Sequence, residues 1–335
     1  MFSLTATHLR FTCEALTPIR LAGDEAGMRL RGALGNVMRR AYCVHTTRPS
    51  PDDIALSEVE GLSSGEGMGV RACPVCWLLA ADEHPGQERR GYALMPMLNP
   101  PDVYRPGERF SFGLTLFGSA LRCLPYFILA VPEMGREGIG AGRGKFALRQ
   151  AWADDPLAGH SEPILAEGES LVRVPTPAIC DERVTEAADR LANMIEPDGR
   201  LSLKFLTPMR LVEAGALSKA PDFGVLFARL LHRLDDLNRQ YAGGERRAES
   251  ERLALQAFAN QVRLLSTETE WVDAWSGSSR TGDKTPMGGF VGRATYHAPI
   301  EVWRPLLPWL MWGRSTQVGK DVVKGNGWYE IECGL

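Results

Sequence analysis

The sequence predicts an α+β protein built from two copies of one βαββαβ unit, and two internal echoes carry that prediction. Leu16-Thr17-Pro18-Ile19-Arg20-Leu21 returns as Leu206-Thr207-Pro208-Met209-Arg210-Leu211. Gly142-Arg143-Gly144-Lys145-Phe146 has a counterpart in Gly325-Asn326-Gly327-Trp328-Tyr329, each a Gly-x-Gly just before a strand-like run. Each half therefore opens and closes alike. A chain of 335 residues has room for two domains with a core each, and we expect the division at 1–153 and 154–335.

The elements follow from periodicity. Residues 3–16 alternate apolar and polar and stop at Thr17-Pro18, a strand closed by a turn. From Asp24 to Tyr42 the residues Met28, Leu30, Leu34, Val37, Met38 and Ala41 recur at helical spacing with arginines between them, so one face packs and the other is basic. Residues 49–69, rich in Ser, Gly, Pro and acid, read as a loop. Strands are expected over 92–97 and 109–117, then a helix over 119–134 interrupted at Pro125, then a strand over 145–152. After a linker at 154–169 and an extra strand and helix over 170–194, the second half repeats the order. It gives a strand at 201–207, helices at 222–241 and to about 261, strands at 262–275 and 287–297 around a loop at 276–284, a helix at 300–312 and a closing strand at 323–333. This is the ferredoxin-like, or RNA-recognition-like, arrangement of two helices on one face of an antiparallel sheet, here in tandem with a C-terminal Gly-rich loop.

Composition bounds the function. The most apolar run, Cys123 to Pro132, is too short to span a bilayer, and residues 1–10 lack a secretory pattern, so a cytoplasmic protein with no membrane partner is expected. Seven cysteines, an odd number, argue for reduced thiols or a metal site over a disulfide framework. The net charge of −3 does not exclude nucleic acid, because binding follows the placement of charge. Arg29, Arg31, Arg39, Arg40 and Arg48 fall between Ala26 and Pro51 with no Asp or Glu among them, a local cationic surface. The Gly-rich segments precede strands and so lack the dinucleotide fingerprint, and Gly319-Lys320-Asp321 is not a phosphate-binding P-loop.

The tandem halves, the arginines of the first helix with Arg31-Gly32-Ala33-Leu34-Gly35, and Val318-Gly319-Lys320 ahead of the last Gly-x-Gly together resemble a known family. Tyr104-Arg105-Pro106-Gly107-Glu108, Leu116-Phe117-Gly118 and Gly288-Gly289-Phe290-Val291-Gly292 extend the likeness over most of the chain. The sequence is similar to CRISPR-associated endoribonucleases of the RAMP superfamily that process precursor CRISPR RNA. That resemblance implies recognition of a repeat hairpin, cleavage near its base into guide RNAs (pre-crRNA to crRNA), and metal-independent chemistry that leaves a 2′,3′-cyclic phosphate. It also implies partners among other CRISPR effector or adaptation proteins.

Such chemistry needs a base for the ribose 2′-hydroxyl, an acid for the leaving 5′-oxygen and positive charge for the transition state. Histidine suits the proton transfers near neutral pH. His45, just beyond the first helix where the family often carries a histidine, is the first candidate, with Tyr42 and Arg48 beside it and His297 as runner-up. Arg39, Arg40, Arg280, Lys284, Arg293, Arg314, Lys320 and Lys324 are candidates for phosphate contacts, joined by the backbone N–H groups of Gly319, Gly325 and Gly327. No cofactor is expected for catalysis. Cys43, Cys73 and Cys76, the last two a Cys-x-x-Cys pair, are candidates for a structural zinc site with a fourth ligand from His84, Asp82 or His45, the alternative being unbound buried thiols. Two rival readings are a non-catalytic RNA-binding subunit of a CRISPR ribonucleoprotein and a zinc-containing interaction module without an RNA role.

Overall fold

The computed structural model describes residues 2–21, 23–43, 73–79, 89–277 and 284–333. Strand β1 (Ala6–Ala15) runs through the middle of the first sheet, and Leu9, Phe11, Cys13 and Ala15 are fully buried at alternate positions, as the period of a half-covered strand requires. Helix α1 (Ala26–Tyr42) lays Leu30, Leu34, Val37 and Met38 on the core. A short helix α2 (Pro74–Leu79), strands β2 (Tyr92–Met95) and β3 (Arg109–Phe117), helix α3 (Leu124–Glu137), and strands β4 (Phe146–Asp155) and β5 (His160–Leu165) complete the half. Its strands are ordered β2-β3-β1-β4-β5, all antiparallel, with Phe11 opposite Phe112 in the register and their rings stacked 5.4 Å apart.

The second half begins with helix α4 (Asp181–Met194) and strand β6 (Arg200–Met209). Then come the hairpin β7 (Leu211–Glu213) and β8 (Ala216–Ser218), helices α5 (Phe223–Ala242) and α6 (Glu249–Ala259), and strand β9 (Arg263–Val272). A second small hairpin, β10 (Trp275–Gly277) and β11 (Lys284–Pro286), precedes strand β12 (Gly289–His297), helices α7 (Ile300–Trp303) and α8 (Leu307–Thr316), and the closing strand β13 (Tyr329–Glu332). Helix α5 starts where the Asp222 carboxylate accepts the Val225 N–H at 2.9 Å, and it stops at Gly243, left-handed with φ 66°. The sheet order β13-β6-β12-β9 matches β4-β1-β3-β2 of the first half strand for strand. Two ferredoxin-like units therefore stand in tandem, as the sequence predicts.

The echoes of sequence are echoes of hydrogen bonding. The N–H groups of Leu16 and Thr17 donate to the Lys145 carbonyl, while the Thr17 hydroxyl accepts from Lys145 N–H at 2.8 Å. In the second half Leu206 and Thr207 donate to the Trp328 carbonyl, and the Thr207 hydroxyl accepts from Trp328 N–H at 3.0 Å. Ala141 N–H donates to Arg20 carbonyl just as Lys320 N–H donates to Arg210 carbonyl. Each Leu-Thr-Pro turn thus clips the end of its first strand to the Gly-x-Gly that enters its last. Gly327 has φ +80°, and a β-carbon there would run into the Val318 backbone. Gly327→Ala is expected to destabilise the fold by about 2 kcal/mol or more, read as a lower urea midpoint at unchanged slope.

Several expectations need correction. Strand β5 pairs with β4, so the first sheet reaches Leu165, past the division expected at 153/154, and 154–169 is no linker. No strand forms over residues 170–178, which have no regular structure and lead to an isolated bridge between Ala6 and Ile179. Pro125 sits in the first turn of α3, where its missing N–H costs no helical bond, so it starts the helix and does not interrupt it. The helix expected over 300–312 is two, because Pro308 opens a fresh first turn in α8. The β7–β8 hairpin is an addition, and β10 and β11 occupy the ends of the loop expected at 276–284.

Buried residues from both halves join in one cluster. Across the junction Gln317 donates to the Leu94 carbonyl at 2.8 Å and Ser3 N–H donates to Asn238 at 2.9 Å. His8 lies on β1 at this junction, 6% exposed, with Nδ1 3.3 Å from the Thr115 hydroxyl. Burial, opposed by Asp154 and Asp155 and aided by Arg314, lowers its pKa from 6.5 to about 4. Between those values the unfolded chain binds the extra proton, so stability is present above pH 6.5 and lost as pH falls toward 4. The expected loss by pH 5 is about 2 kcal/mol, and His8→Gln should flatten that part of a urea-midpoint profile against pH.

Candidate nucleic-acid interface

Helix α5 places Arg229 and Arg233 four residues apart, hence on one face, beside the Gly-rich loop of the second half. With Arg89, Arg210, Gly319 and Lys320 they line a cavity of about 360 Å³, and among the described residues no carboxylate lines it. Arg233 is 6% exposed, its Nε donates to the Thr316 carbonyl at 2.8 Å, and its guanidinium lies 5.6 Å from the centre of the Phe117 ring. Its Nη2 and the Nε of Arg229 are buried without a hydrogen-bond partner among the described residues. Burial first, then the charge of Arg89, lower the Arg233 pKa to about 9, which still leaves it a cation at neutral pH. Arg210 donates to the Gly288 carbonyl at 2.9 Å, and Arg89 is held by Asp236 at 3.0 Å.

Buried cations with unused donors are costly unless an anion or acceptor meets them. A phosphate group supplies both charge and acceptor oxygens. The concave shape, the paired arginines at i and i+4 and the exposed Lys320 at the rim give this cavity the makings of a phosphate site. Sequence reasoning passed over Arg89, Arg210, Arg229 and Arg233. Arg210 was in view as part of the repeated Leu-Thr-Pro-Met-Arg motif, and the other signal was the pair of arginines at i and i+4 in the first half of α5.

The residues picked from the sequence divide. Gly319 and Lys320 stand in the cavity wall. Gly325 and Gly327 are inside the protein: their N–H groups donate to Val322 and Pro208 carbonyls, and Gly325 meets the Pro96 ring. Their service is close backbone passage, with no N–H left over for RNA. Lys324 is 17% exposed and bound to Asp321 at 2.8 Å, so its charge is already met. Arg40 pairs with Glu133 and Glu137 of α3, and Arg293 with Glu332 at 2.7 Å. Arg314 lies elsewhere, in a cavity of about 260 Å³ between the halves that also holds His8, Arg10, Asp154, Trp328 and Glu330. Arg39 is exposed in the last turn of α1, and Lys284 begins β11.

Tyr42 ends α1, half-buried, with its ring edge-on to Tyr126 at 5.9 Å. His45, Arg48, His84, Asp82 and Arg280 lie outside the described residues. His297 closes β12 opposite Arg200 and Arg263. Cys43 caps α1, and Cys73 and Cys76 stand at the start of α2, with Cys43 Sγ 3.4 Å from Cys76 Sγ and 3.8 Å from Cys73 Sγ. Burial and then the neighbouring thiols push Cys76 up to about 12, so in the absence of a cation it is protonated.

Residues 4–177 match a family model described as an N-terminal domain, and residues 203–329 match the model of the CRISPR-associated endoribonuclease Cas6. The C-terminal part of the chain is thus similar to Cas6 endoribonucleases. No curated protein gives a significant match. Among solved structures the chain is similar to Thermus thermophilus Cas6 (14% identity, TM-score 0.55, covering 98% of this chain and 99% of that one) and to a Cas6 product complex (14%, TM-score 0.54, 98% and 100%). A partial Cas6-RT-Cas1–Cas2 complex matches at 12% identity and TM-score 0.61 over 99% of this chain and 46% of the other. At these identities the likeness is one of fold: the tandem units superpose along the whole chain. Among the described residues no helix is long and apolar enough to cross a membrane.

Proposed function

We propose that this protein is a Cas6-type endoribonuclease that binds the repeat hairpin of precursor CRISPR RNA and cleaves it by attack of a ribose 2′-hydroxyl on the adjacent phosphorus, giving a 2′,3′-cyclic phosphate and a 5′-hydroxyl without a metal ion. The observation that carries the reading is the arginine cavity beside the Gly-rich loop, where Arg229 and Arg233 keep buried donors that no protein group meets among the described residues. In this reading the cavity and Lys320 hold backbone phosphates and fix the register of the RNA. His45 removes the 2′-proton, Arg48 offsets the charge that develops on phosphorus oxygens, and Tyr42 helps to position the scissile nucleotide. His8 is a weakened base, since burial disfavours its protonated form.

The Cas6 product complex and the Cas6-RT-Cas1–Cas2 complex among the structural neighbours support repeat RNA and CRISPR adaptation proteins as the classes of partner. The test is end-group analysis of the products formed from the repeat RNA of its own locus with EDTA present. A 3′ end that resists phosphatase until mild acid opens it supports the reading. Products with a 3′-hydroxyl, or cleavage only when Mg²⁺ is restored, would refute it. Tight binding with no cleavage would favour a non-catalytic RNA-binding subunit.

A further inference from the structure

The three thiols at the end of α1 form a cluster that RNA binding leaves unused. Cys43 caps α1, and Cys73 and Cys76, at the start of α2, lie against it. None of the three is in a disulfide, and their sulfur atoms lie within 4.8 Å of one another. A tetrahedral zinc with Zn–S bonds of about 2.3 Å has sulfur–sulfur edges of about 3.8 Å. The Cys43–Cys76 and Cys43–Cys73 separations of 3.4 and 3.8 Å are close to that edge.

We propose that Cys43, Cys73 and Cys76 bind one zinc ion as thiolates, in a structural site that clamps α2 to the end of α1. Binding breaks three S–H bonds, forms three S–Zn bonds and releases three protons to solvent, with no change of oxidation state. A ligand beyond these three residues completes the tetrahedron, and the soft thiolate set selects zinc over magnesium or calcium. The site has structural work to do. Helix α2 spans only Pro74–Leu79, too short to be stable alone, yet it buries Val75, Leu78 and Leu79 and sets Trp77 edge-on to Tyr241 of α5 at 5.4 Å. The metal therefore holds a short helix that joins the end of α1 to the helix bearing Arg229 and Arg233. Its bearing on cleavage rests on the proposed function, whereas its presence does not.

Elemental analysis of the full chain, purified under reductant without chelator, is expected to find about one zinc per chain. Cys76→Ser should lose it and Cys180→Ser should keep it. Because Cys76→Ser can fail to fold, the unaltered protein is also refolded with Co²⁺, and a thiolate-to-cobalt charge-transfer band in the near ultraviolet is expected. Zinc-free protein that shows no such band with Co²⁺, or three thiols alkylated at the rate of Cys180, would overturn the clamp, as would an intramolecular disulfide among the three. Repeat-RNA cleavage on the same preparations separates the two claims: zinc without cleavage supports the clamp while counting against the nuclease reading.

Discussion

His45→Ala is expected to slow cleavage of repeat RNA by about 10²- to 10⁴-fold while changing RNA affinity less than about 2-fold. The split between rate and binding is what the chemistry requires. The 2′-hydroxyl is a poor nucleophile until its proton is removed, and an imidazole with an ordinary pKa near 6.5 is half-charged close to neutral pH. In sequence His45 stands two residues beyond Cys43, three beyond the half-buried Tyr42 and six beyond the exposed Arg39. Single-turnover rates and filter-binding affinities for the variant and the parent measure the two effects. A variant that loses affinity and rate in proportion would make His45 a binding residue.

The second large effect belongs to the arginine cavity. Arg229→Ala combined with Lys320→Ala should weaken repeat-RNA binding by about 100-fold, about 1.4 kcal/mol for each lost phosphate contact. It should also reduce the slope of log affinity against log salt by about 1 per contact. Arg40→Ala serves as the control with an expected change below about 2-fold, because Glu133 and Glu137 already compensate that charge. Titrations of labelled hairpin at several salt concentrations give both quantities. An unchanged salt slope in the double variant, or an equal loss in the control, would remove the cavity from the interface.

The fold was legible because both repeats encode the same hydrogen-bonded clip. A Thr hydroxyl and two backbone N–H groups need the Leu-Thr-Pro turn, and close backbone passage needs the Gly-x-Gly, so the motif survives in letters where the rest of the two halves differs. Additions were not legible, since β5 and the β7–β8 hairpin are edge features whose half-exposed residues carry no strong apolar period. Local reading of the cysteines sufficed to group Cys43 with Cys73 and Cys76, because a Cys-x-x-Cys is itself a short-range signal. The arginine cavity required the fold. Arg89, Arg210 and the Arg229–Arg233 pair are far apart in sequence, while Arg40 and Arg293, equally basic on paper, face carboxylates that only packing brings near.

The central claim is that the RNA supplies its own nucleophile. The most direct measurement compares cleavage of the repeat RNA with that of a copy carrying one 2′-deoxy nucleotide just 5′ of the scissile phosphate, both in EDTA and at equal affinity. The account predicts that the natural RNA is cut and the deoxy copy is bound but left intact. Cleavage of the deoxy copy at the same phosphate would show that water or a protein group attacks instead, and would contradict it.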